Sequence, residues 1–115
     1  MSECLFCKII KGEITAKIIY QDRENIAIYD IKPKSPVHVL VMPKKHITSL
    51  QEIDESDVEI LGKVLVFVQK VASKLGIAQK GYKVVINNGA GSGQEIFHLH
   101  LHILGGWQKS TNWQV

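Results

Sequence analysis

IFHLHLHIL, residues 96–104, is the most informative segment of this sequence. Apolar residues and histidines alternate along it, which predicts a β-strand with two different faces. The apolar face is expected to supply part of the core: Phe97, Leu99, Leu101 and Ile103. The opposite face is expected to carry three imidazoles in a row: His98, His100 and His102. Neighbouring histidines would lie about 6.6 Å apart at the backbone.

Three histidines in register indicate a site rather than isolated polar residues. The outer pair, His98 and His102, would start about 13 Å apart, so at most two of the three could share one metal ion. The row therefore fits an extended anionic substrate better than a single ion. A neutral imidazole is a good nucleophile toward phosphorus near neutral pH, since its unperturbed pKa is about 6.5. A neighbouring protonated imidazole could donate to the phosphoryl oxygens.

Four further strands are predicted outward from this segment, at residues 17–21, 26–30, 37–42 and 82–87. A short helix is predicted at residues 5–11, with Gly12 past its end. The glycine-rich loop at residues 88–94 could present backbone N–H groups to a phosphate. It is not a P-loop, because no Gly-Lys-Ser/Thr follows it and a strand comes next.

One long helix lies between the third and fourth strands. Its apolar residues recur at spacings of three and four: Val58, Leu61, Leu65, Val68, Val71, Ala72 and Leu75. Ser56 and Glu59 form a possible capping box, with Asp54 as a competing N-cap, and Gly76 suits the position after the helix. Five strands and one main helix in this order predict an α+β domain on a mostly antiparallel sheet.

Length and composition indicate one domain over residues 1–115. The chain has 45% hydrophobic and 22% charged residues, the balance of a folded globular protein. No apolar run approaches the ~20 residues of a membrane helix, and no secretory signal is visible. We therefore expect a cytoplasmic protein without a membrane partner.

The charge pattern gives no sign of a nucleic-acid partner. Fourteen basic residues stand against eleven acidic ones, a net charge of +3, and Arg23 is the only arginine. Arginine is the usual reader of bases and phosphates. The lysines are spread along the chain, and the densest group is Lys32, Lys34, Lys44 and Lys45. A solvated basic surface is the better interpretation.

The two cysteines form a Cys-x-x-Cys pair, Cys4 and Cys7. A structural disulfide is disfavoured in a reducing cytosol. A redox pair would normally follow a strand, and none is predicted before Cys4. Half of a zinc site and two small buried hydrophobes both remain open.

HLHLHIL at residues 98–104 resembles the signature of the histidine triad (HIT) family. The following Gly105-Gly106 resembles the Hint branch, the histidine triad nucleotide-binding proteins. The third histidine, His102, differs from the nucleotidyltransferase branch, which has glutamine there. The likeness covers almost the whole chain: FCKIIKGEI at 6–14, YDI at 29–31, HVLVMPKKHI at 38–47, GYKVVINN at 81–88 and GQEIFHLHLHILGG at 93–106.

The resemblance implies a HIT-like fold and a homodimer whose sheets join. It also implies a hydrolase of purine nucleoside phosphoramidates that releases AMP or GMP. His100 would attack the α-phosphorus and form a nucleotidyl-histidine intermediate. His102 would contact the phosphate, and His98 and His38 would support and complete the site.

The same resemblance implies a set of nucleotide-binding residues. Asp30 would bind the ribose hydroxyls, although it could simply begin a turn. The base would be walled by Phe6, Ile9, Ile28 and Ile31, several of which could equally be core. The phosphate and leaving group would be lined by Asn87, Gly93, Gln94, Glu95 and Ile96.

Some HIT proteins with an N-terminal Cys-x-x-Cys bind a structural zinc ion. The matching positions in this sequence are Cys4, Cys7, His46 and His98. Other members lack the cysteines and work, so the resemblance implies no metal in the chemistry.

Two other functions compete with the phosphoramidate hydrolase: a dinucleoside polyphosphate hydrolase and a non-catalytic nucleotide-binding or scaffolding module. Gly105-Gly106 argues against the first, and the intact triad argues against the second. Trp107 stands where arginine is common, and the tail at residues 112–115 lacks the usual prolines. The leaving-group specificity therefore stays open.

Overall fold

Five antiparallel strands form one sheet in the order β1-β2-β3-β5-β4. The computed structural model describes residues 4–113 and 115. The strands are β1 (Ile18–Gln21), β2 (Asn25–Tyr29), β3 (Val37–Pro43), β4 (Tyr82–Ile86) and β5 (Leu101–Gly105). The helices are α1 (Leu5–Ile10) and α2 (Val58–Lys74), and short 3-10 turns lie at Leu50–Glu52, Glu55–Asp57 and Ala90–Ser92. The predicted α+β fold is confirmed.

The sheet separates two apolar layers. Helix α2 covers one face, where the core includes Ala27, Val39, Val41, Val64, Phe67, Val71, Leu101 and Ile103. Helix α1 packs on the other face against a smaller cluster: Phe6, Ile9, Ile26, Ile28, Leu40 and Met42. Strand β3 lies between β2 and β5, and all its residues except Val37 are buried. A strand covered on both faces is apolar along its whole length, as VHVLVMP nearly is.

The strand of the histidine segment is shorter than predicted. β5 begins at Leu101, whereas the sequence predicts a start at residue 96. Leu101 pairs with Val41 on β3 and with Ile86, the last residue of β4, so β4 offers no ladder partner beyond it. β3 ends at Pro43, which has no N–H to donate. The backbone before Leu101 therefore leaves the sheet.

The alternation of faces nevertheless holds from residue 98 onward. Leu99 is buried in the α2 layer, and its N–H donates to the carbonyl of Ile47 at 2.6 Å instead of to a strand. Phe97, which was expected in the core, is exposed. Phe97 lies before Leu99, the residue whose N–H joins this segment to the carbonyl of Ile47.

Helix α2 differs from its prediction in the cap and in the buried stripe. The capping box is formed by Asp54 and Asp57 around a 3-10 turn, so the Ser56–Glu59 box is wrong and Asp54 is the cap. Val58 and Leu65 were expected in the stripe but are exposed, while Val64 and Phe67 are buried. The predicted stripe is confirmed at Val68, Val71 and Ala72, and Val64 and Phe67 extend that same face toward the start of the helix.

The ends of the other elements lie within one residue of their predicted positions, the usual scatter at fraying ends. None of the helices among the described residues combines the length and hydropathy that a membrane span requires. Residues 1–3, used for the signal-sequence expectation, and Gln114 of the tail lie outside the described residues.

We predict that Gly106→Ala destabilises the fold more than Gly12→Ala. Both glycines have positive φ, +84° and +81°, which costs an alanine about 1 kcal/mol. A Cβ on Gly106 would lie 3.0 Å from Val37 Cγ2 and 3.1 Å from Pro36 Cβ, whereas one on Gly12 would meet nothing within 4 Å. Urea unfolding should give a loss of about 2–4 kcal/mol for Gly106→Ala. Equal losses in the two variants would contradict a steric role for this junction.

Candidate active site

Four imidazoles form a continuous row on the sheet face covered by α1. His98 and His100 lie in the segment just before β5, His102 lies on β5, and His38 lies on the neighbouring β3. The ring centroids of His100 and His102 are 5.2 Å apart, as are those of His38 and His102. The ring of Phe6 on α1 meets His98 and His100 edge-on, at 5.9 and 5.0 Å. All four predicted catalytic histidines are thus brought together.

His100 is held in one tautomer by the backbone. Its Nδ1 lies 2.7 Å from the carbonyl oxygen of His98, so Nδ1–H donates there. The lone pair of a neutral ring must then reside on Nε2. Burial lowers the pKa of His100, which keeps the ring neutral near pH 7. The ring therefore presents an unprotonated nitrogen of fixed orientation.

A second tautomer is set through His38. The backbone N–H of Lys34 donates to His38 Nδ1 at 3.0 Å, so the proton of the neutral ring is on Nε2. Nε2–H donates to His102 Nδ1 at 2.9 Å. His102 therefore carries its own proton on Nε2. That atom lies 3.5 Å from Asn87 Nδ2, a contact between two donors rather than a hydrogen bond, so the structure also brings Asn87 to the row.

His102 is a neutral donor, whereas the sequence suggested that an imidazole beside the nucleophile could donate in its protonated form. Burial, together with the neighbouring His100 and His38, lowers its pKa to about 4. Burial also lowers the pKa of His38, although Asp30 opposes this. A neutral N–H can still donate to a phosphoryl oxygen, but it adds no net charge.

The two carboxylate oxygens of Asp30 have different partners, one in a turn and one in the site. Oδ1 accepts the backbone N–H of Lys32 at 2.7 Å, which is the turn foreseen as the simpler interpretation. Oδ2 lies 3.4 Å from His38 Nε2. The carboxylate thus touches the histidine row and keeps one oxygen for a ligand.

The residues expected to wall a base belong mainly to the core. Phe6, Ile9 and Ile28 are buried in the α1 layer, and Ile96 packs against it. Ile31 is 93% exposed. The structural interpretation of the three buried residues is confirmed, and contact with a base stays a prediction.

The side-chain amide of Gln94 holds the glycine-rich loop in place through hydrogen bonds. Its side chain is only 3% exposed, and Oε1 accepts the N–H of Gly89 at 2.7 Å. Nε2 donates to the carbonyls of Thr48 at 2.8 Å and Ile96 at 3.1 Å. Every polar atom of this amide is occupied, so Gln94 positions the loop rather than offering its side chain to a ligand.

Gly93 and Glu95 flank Gln94 and are exposed. Within residues 4–113 and 115, the structure shows no hydrogen bond or ion pair between either residue and the histidines. Their predicted place beside the phosphate therefore remains a prediction. The loop itself folds into the 3-10 turn Ala90–Ser92.

A second cluster adjoins the row at His98. Four donor atoms, one each from Cys4, Cys7, His46 and His98, lie within 4.8 Å of one another. His98 Nε2–H donates to the carbonyl of Pro43 at 2.7 Å, so Nδ1 carries the lone pair and faces the cluster. The two cysteines are free thiols, so no disulfide joins them.

The distances in this cluster match a tetrahedral metal site. Bonds of about 2.1 Å to nitrogen and 2.3 Å to sulfur place N and S about 3.6 Å apart and two nitrogens about 3.4 Å apart. His98 Nδ1 lies 3.5 Å from Cys4 Sγ and 3.6 Å from Cys7 Sγ. His46 Nδ1 lies 3.4 Å from Cys7 Sγ and 3.2 Å from His98 Nδ1. The four residues therefore fit a zinc ion as a closed set.

Comparison with known proteins gives the family. The model of the HIT domain matches residues 11–109, which is most of the chain. The chain belongs to the HIT family. An uncharacterized HIT-like protein from Buchnera aphidicola subsp. Baizongia pistaciae is 50% identical over 106 residues, 92% of this chain and 95% of that protein.

Two solved structures share the HIT fold over nearly their whole length. A HIT family hydrolase from Clostridium thermocellum has 47% identity and a TM-score of 0.92, with 99% of each chain covered. A HIT family hydrolase from Legionella pneumophila has 42% identity and a TM-score of 0.90, covering 96% of this chain and 98% of that one.

Three backbone groups of this HIT protein were not foreseen from the sequence: the N–H of Lys34 and the carbonyls of Pro43 and His98. Each fixes the tautomer of an imidazole. The local sequence carries no signal for these groups.

We predict that His102 makes the stability of the protein depend on pH. Its pKa is about 4 when folded and about 6.5 when unfolded, so the unfolded chain binds more protons between these values. Stability contributed by the neutral ring is complete above about pH 6.5 and is lost as the pH falls toward 4. The loss at pH 5 should be about 1–2 kcal/mol.

The measurement is the free energy of unfolding at pH 7 and pH 5, for the wild type and for His102→Gln. The amide of glutamine does not titrate, so the variant should lose less stability on acidification by about 1–2 kcal/mol. Contributions from titrating groups that do not contact His102 cancel in this difference. Parallel curves for the two proteins would show that His102 is not buried in its neutral form.

Proposed function

We propose that this HIT protein hydrolyses purine nucleoside phosphoramidates through a nucleotidyl intermediate on His100, as in the Hint branch. The observation that carries the proposal is the fixed Nε2 lone pair of His100, which is set by the hydrogen bond from Nδ1 to the His98 carbonyl. The hydrolases from Clostridium thermocellum and Legionella pneumophila support a hydrolytic activity for the family.

The first step transfers the nucleotidyl group to the enzyme. His100 Nε2 attacks the α-phosphorus, the new P–N bond forms, and the bond to the substrate nitrogen breaks. The departing amine takes a proton from water. The attacking ring gains positive charge, which the His98 carbonyl stabilises through Nδ1–H. His102 Nε2–H is placed to donate to a phosphoryl oxygen.

The second step returns the enzyme to its starting form. A water molecule attacks the phosphorus, the P–N bond to His100 breaks, and AMP or GMP leaves with a released proton. Lys34 donates to His38, and His38 donates to His102 Nδ1. These two hydrogen bonds keep the proton of His102 on Nε2 through both steps. The same donor therefore serves formation and hydrolysis of the intermediate.

Substrate contacts are proposed around this centre. Asp30 Oδ2 would accept the ribose hydroxyls from beside His38, and Asn87 would contact the phosphate from beside His102. Ile31 is freely accessible to a base, whereas Phe6, Ile9 and Ile28 could offer only their edges. The backbone of Gly93, Glu95 and Ile96 would line the leaving group, held in place by Gln94.

We infer that the four-donor cluster holds a structural zinc ion. The closed set of two cysteines and two histidines leaves no open position for a substrate. When bound, zinc would tie the start of α1 to the segment before β5. Its role would be to stabilise the fold and orient His98, and the hydrolytic steps above use no metal.

We also infer a homodimer, with support from two surfaces. β4 is at the edge of the sheet, and its Val84 is 40% exposed. On α2, Leu65 is 57% exposed, and Val58 is exposed as well. Pairing of two β4 strands would cover an unpaired edge and bring these apolar side chains out of water.

We predict that His100→Ala abolishes hydrolysis of adenosine 5′-phosphoramidate while AMP still binds. The substitution removes the only group assigned to attack phosphorus, so turnover should fall at least about 10³-fold. Measurements are steady-state turnover, AMP titration by calorimetry, and the mass of the acid-quenched enzyme. The wild type should gain the mass of one nucleotidyl group.

Lys80→Gln, a surface change outside the site, is the handling control. Equal turnover by wild type and His100→Ala would place the nucleophile elsewhere. AMP binding without turnover in either protein would favour a binding module. Faster hydrolysis of diadenosine tetraphosphate than of the phosphoramidate would favour a polyphosphate hydrolase.

We predict that the double variant Cys4→Ser, Cys7→Ser loses bound zinc but keeps most of its hydrolytic activity. Elemental analysis should fall from about one zinc per chain to none, because hydroxyls are poor zinc ligands. The Tm should fall by about 10 °C, equivalent to about 2–3 kcal/mol. Wild type treated with a chelator is the matched comparison. An unchanged Tm with zinc absent from the wild type would contradict the metal site.

A further inference from the structure

The Cys4–Cys7 pair has a chemistry that the hydrolytic steps above do not use. These are the two cysteines of the chain, and both are free thiols. Cys4 caps helix α1 with an extended backbone. Cys7 lies in the first turn, and its backbone N–H donates to Cys4 Sγ at 3.4 Å. The start of the helix therefore holds the two sulfurs side by side.

The two sulfurs are close enough to react with each other. They lie within 4.8 Å, and two thiolates on one zinc ion would lie about 3.8 Å apart. A disulfide brings its sulfur atoms to about 2.05 Å. The remaining gap is small enough for side-chain rotation and a small shift of Cys4, which stands at the start of the helix.

One side of the four-donor cluster is open to solvent. His46 is exposed and the two cysteines are partly exposed, whereas His98 is 0% exposed and closes the other side. A small reagent can therefore reach the sulfurs without opening the core. Both sulfurs would be thiolates in the zinc site, because a coordinating thiol is deprotonated. The thiolate is also the form that attacks a disulfide.

The sulfurs fasten α1 to the rest of the fold only as metal ligands. Through a shared ion, Cys4 would be joined to His98, which lies 94 positions away in the chain. A disulfide between Cys4 and Cys7 would close only the short loop of residues 4–7, within the start of α1. It would leave His46 and His98 as the remaining ligands, two fewer than a closed zinc site needs. Oxidation of the pair would therefore release the start of α1.

A residue between the two cysteines connects α1 to the proposed nucleophile. Phe6 is 2% exposed, and its ring meets that of His100 edge-on at 5.0 Å. His98 keeps its place without a metal, because its Nε2–H donates to the carbonyl of Pro43. Oxidation would loosen the aromatic cover of His100 while the hydrogen bonds of the histidine row persist.

We propose that Cys4 and Cys7 form a reversible modification site, which fastens α1 when the thiols are reduced and releases it when they are joined. The reagent is a low-molecular-weight disulfide, R–S–S–R. The inference rests on the zinc site proposed above. In a reducing environment the thiolate form prevails, in agreement with the expectation that the pair forms no permanent disulfide.

The reaction consists of two successive thiol–disulfide exchanges. One protein thiolate attacks a sulfur of R–S–S–R, a mixed disulfide forms, and one RS⁻ leaves. The second protein thiolate attacks the protein sulfur of the mixed disulfide, the Cys4–Cys7 bond forms, and a second RS⁻ leaves. The two protein thiolates are oxidised and the reagent is reduced by the same two electrons, so no proton is needed. With both sulfur ligands gone, the metal leaves as Zn²⁺.

The test places zinc-loaded wild type in buffers that range from fully reduced to fully oxidised glutathione. Three quantities are followed: intact mass after alkylation of free thiols, zinc passed to a colorimetric chelator, and hydrogen exchange of two α1 amides. These amides belong to Lys8 and Lys11, which donate to the carbonyls of Cys4 and Cys7 at 3.1 and 3.0 Å.

We expect one internal disulfide and the release of about one zinc ion per chain. Both amides should exchange at least about tenfold faster after oxidation, because the start of α1 is no longer anchored. Added reductant and zinc should reverse all three changes.

Two variants serve as matched controls. Cys7→Ser should stop at the mixed disulfide with glutathione, because no second thiolate remains to displace it. His46→Ala keeps both thiols but removes one metal ligand, so it should form the internal disulfide with little zinc to release.

The proposal is overturned if the wild type stays reduced throughout or accumulates only the mixed disulfide. Zinc that remains on the oxidised chain, or unchanged exchange of the two amides, would overturn it as well. Reduced wild type that binds no zinc would overturn the zinc site too, whereas zinc binding with no internal disulfide would overturn this inference alone. None of these readouts depends on hydrolysis, so failure of the proposed hydrolase would be recognised separately.

Discussion

His98 is the residue on which the rest of the site depends. Its side chain donates to the carbonyl of Pro43, where β3 ends, and its own carbonyl accepts a hydrogen bond from His100 Nδ1–H. The first bond joins the segment before β5 to the end of β3, where the strand ladder has stopped. The second decides which nitrogen of His100 carries the lone pair. Displacing His98 would therefore disturb the end of the sheet and the proposed nucleophile together.

Burial gives the site its electrostatic character. Four imidazoles in contact would repel one another if protonated, and removal from water lowers the pKa of His38, His98, His100 and His102. The rings of the row are consequently neutral near pH 7, and the donor of His38 faces the acceptor of His102. In the proposed reaction, positive charge arises only when a bond to phosphorus forms, and the carbonyl of His98 would stabilise it through His100 Nδ1–H.

The sequence predicted more of the fold than of the site. Strict alternation at residues 98–103 gave the correct faces, since period two survives even where the chain leaves the ladder. The start of helix α2 stayed open between two caps, because the local pattern does not distinguish Asp54, which begins a 3-10 turn, from the Ser56 alternative. The tautomers depend on backbone atoms of Lys34 and Pro43, which only the folded chain brings to the rings. The clustering of Cys4, Cys7, His46 and His98 came from family resemblance alone, because those residues span almost the whole sequence.

The hydrogen bonds from Lys34 through His38 to His102 all run in one direction. This order limits which side chains can occupy the last position during evolution. A replacement must accept a hydrogen bond on the side of His38 and donate one on the opposite side. The carboxamide of glutamine meets both requirements, whereas an ammonium group cannot accept and an ionised carboxylate cannot donate. The fixed polarity of the chain thus favours histidine or a neutral amide at this position over lysine and ionised carboxylates.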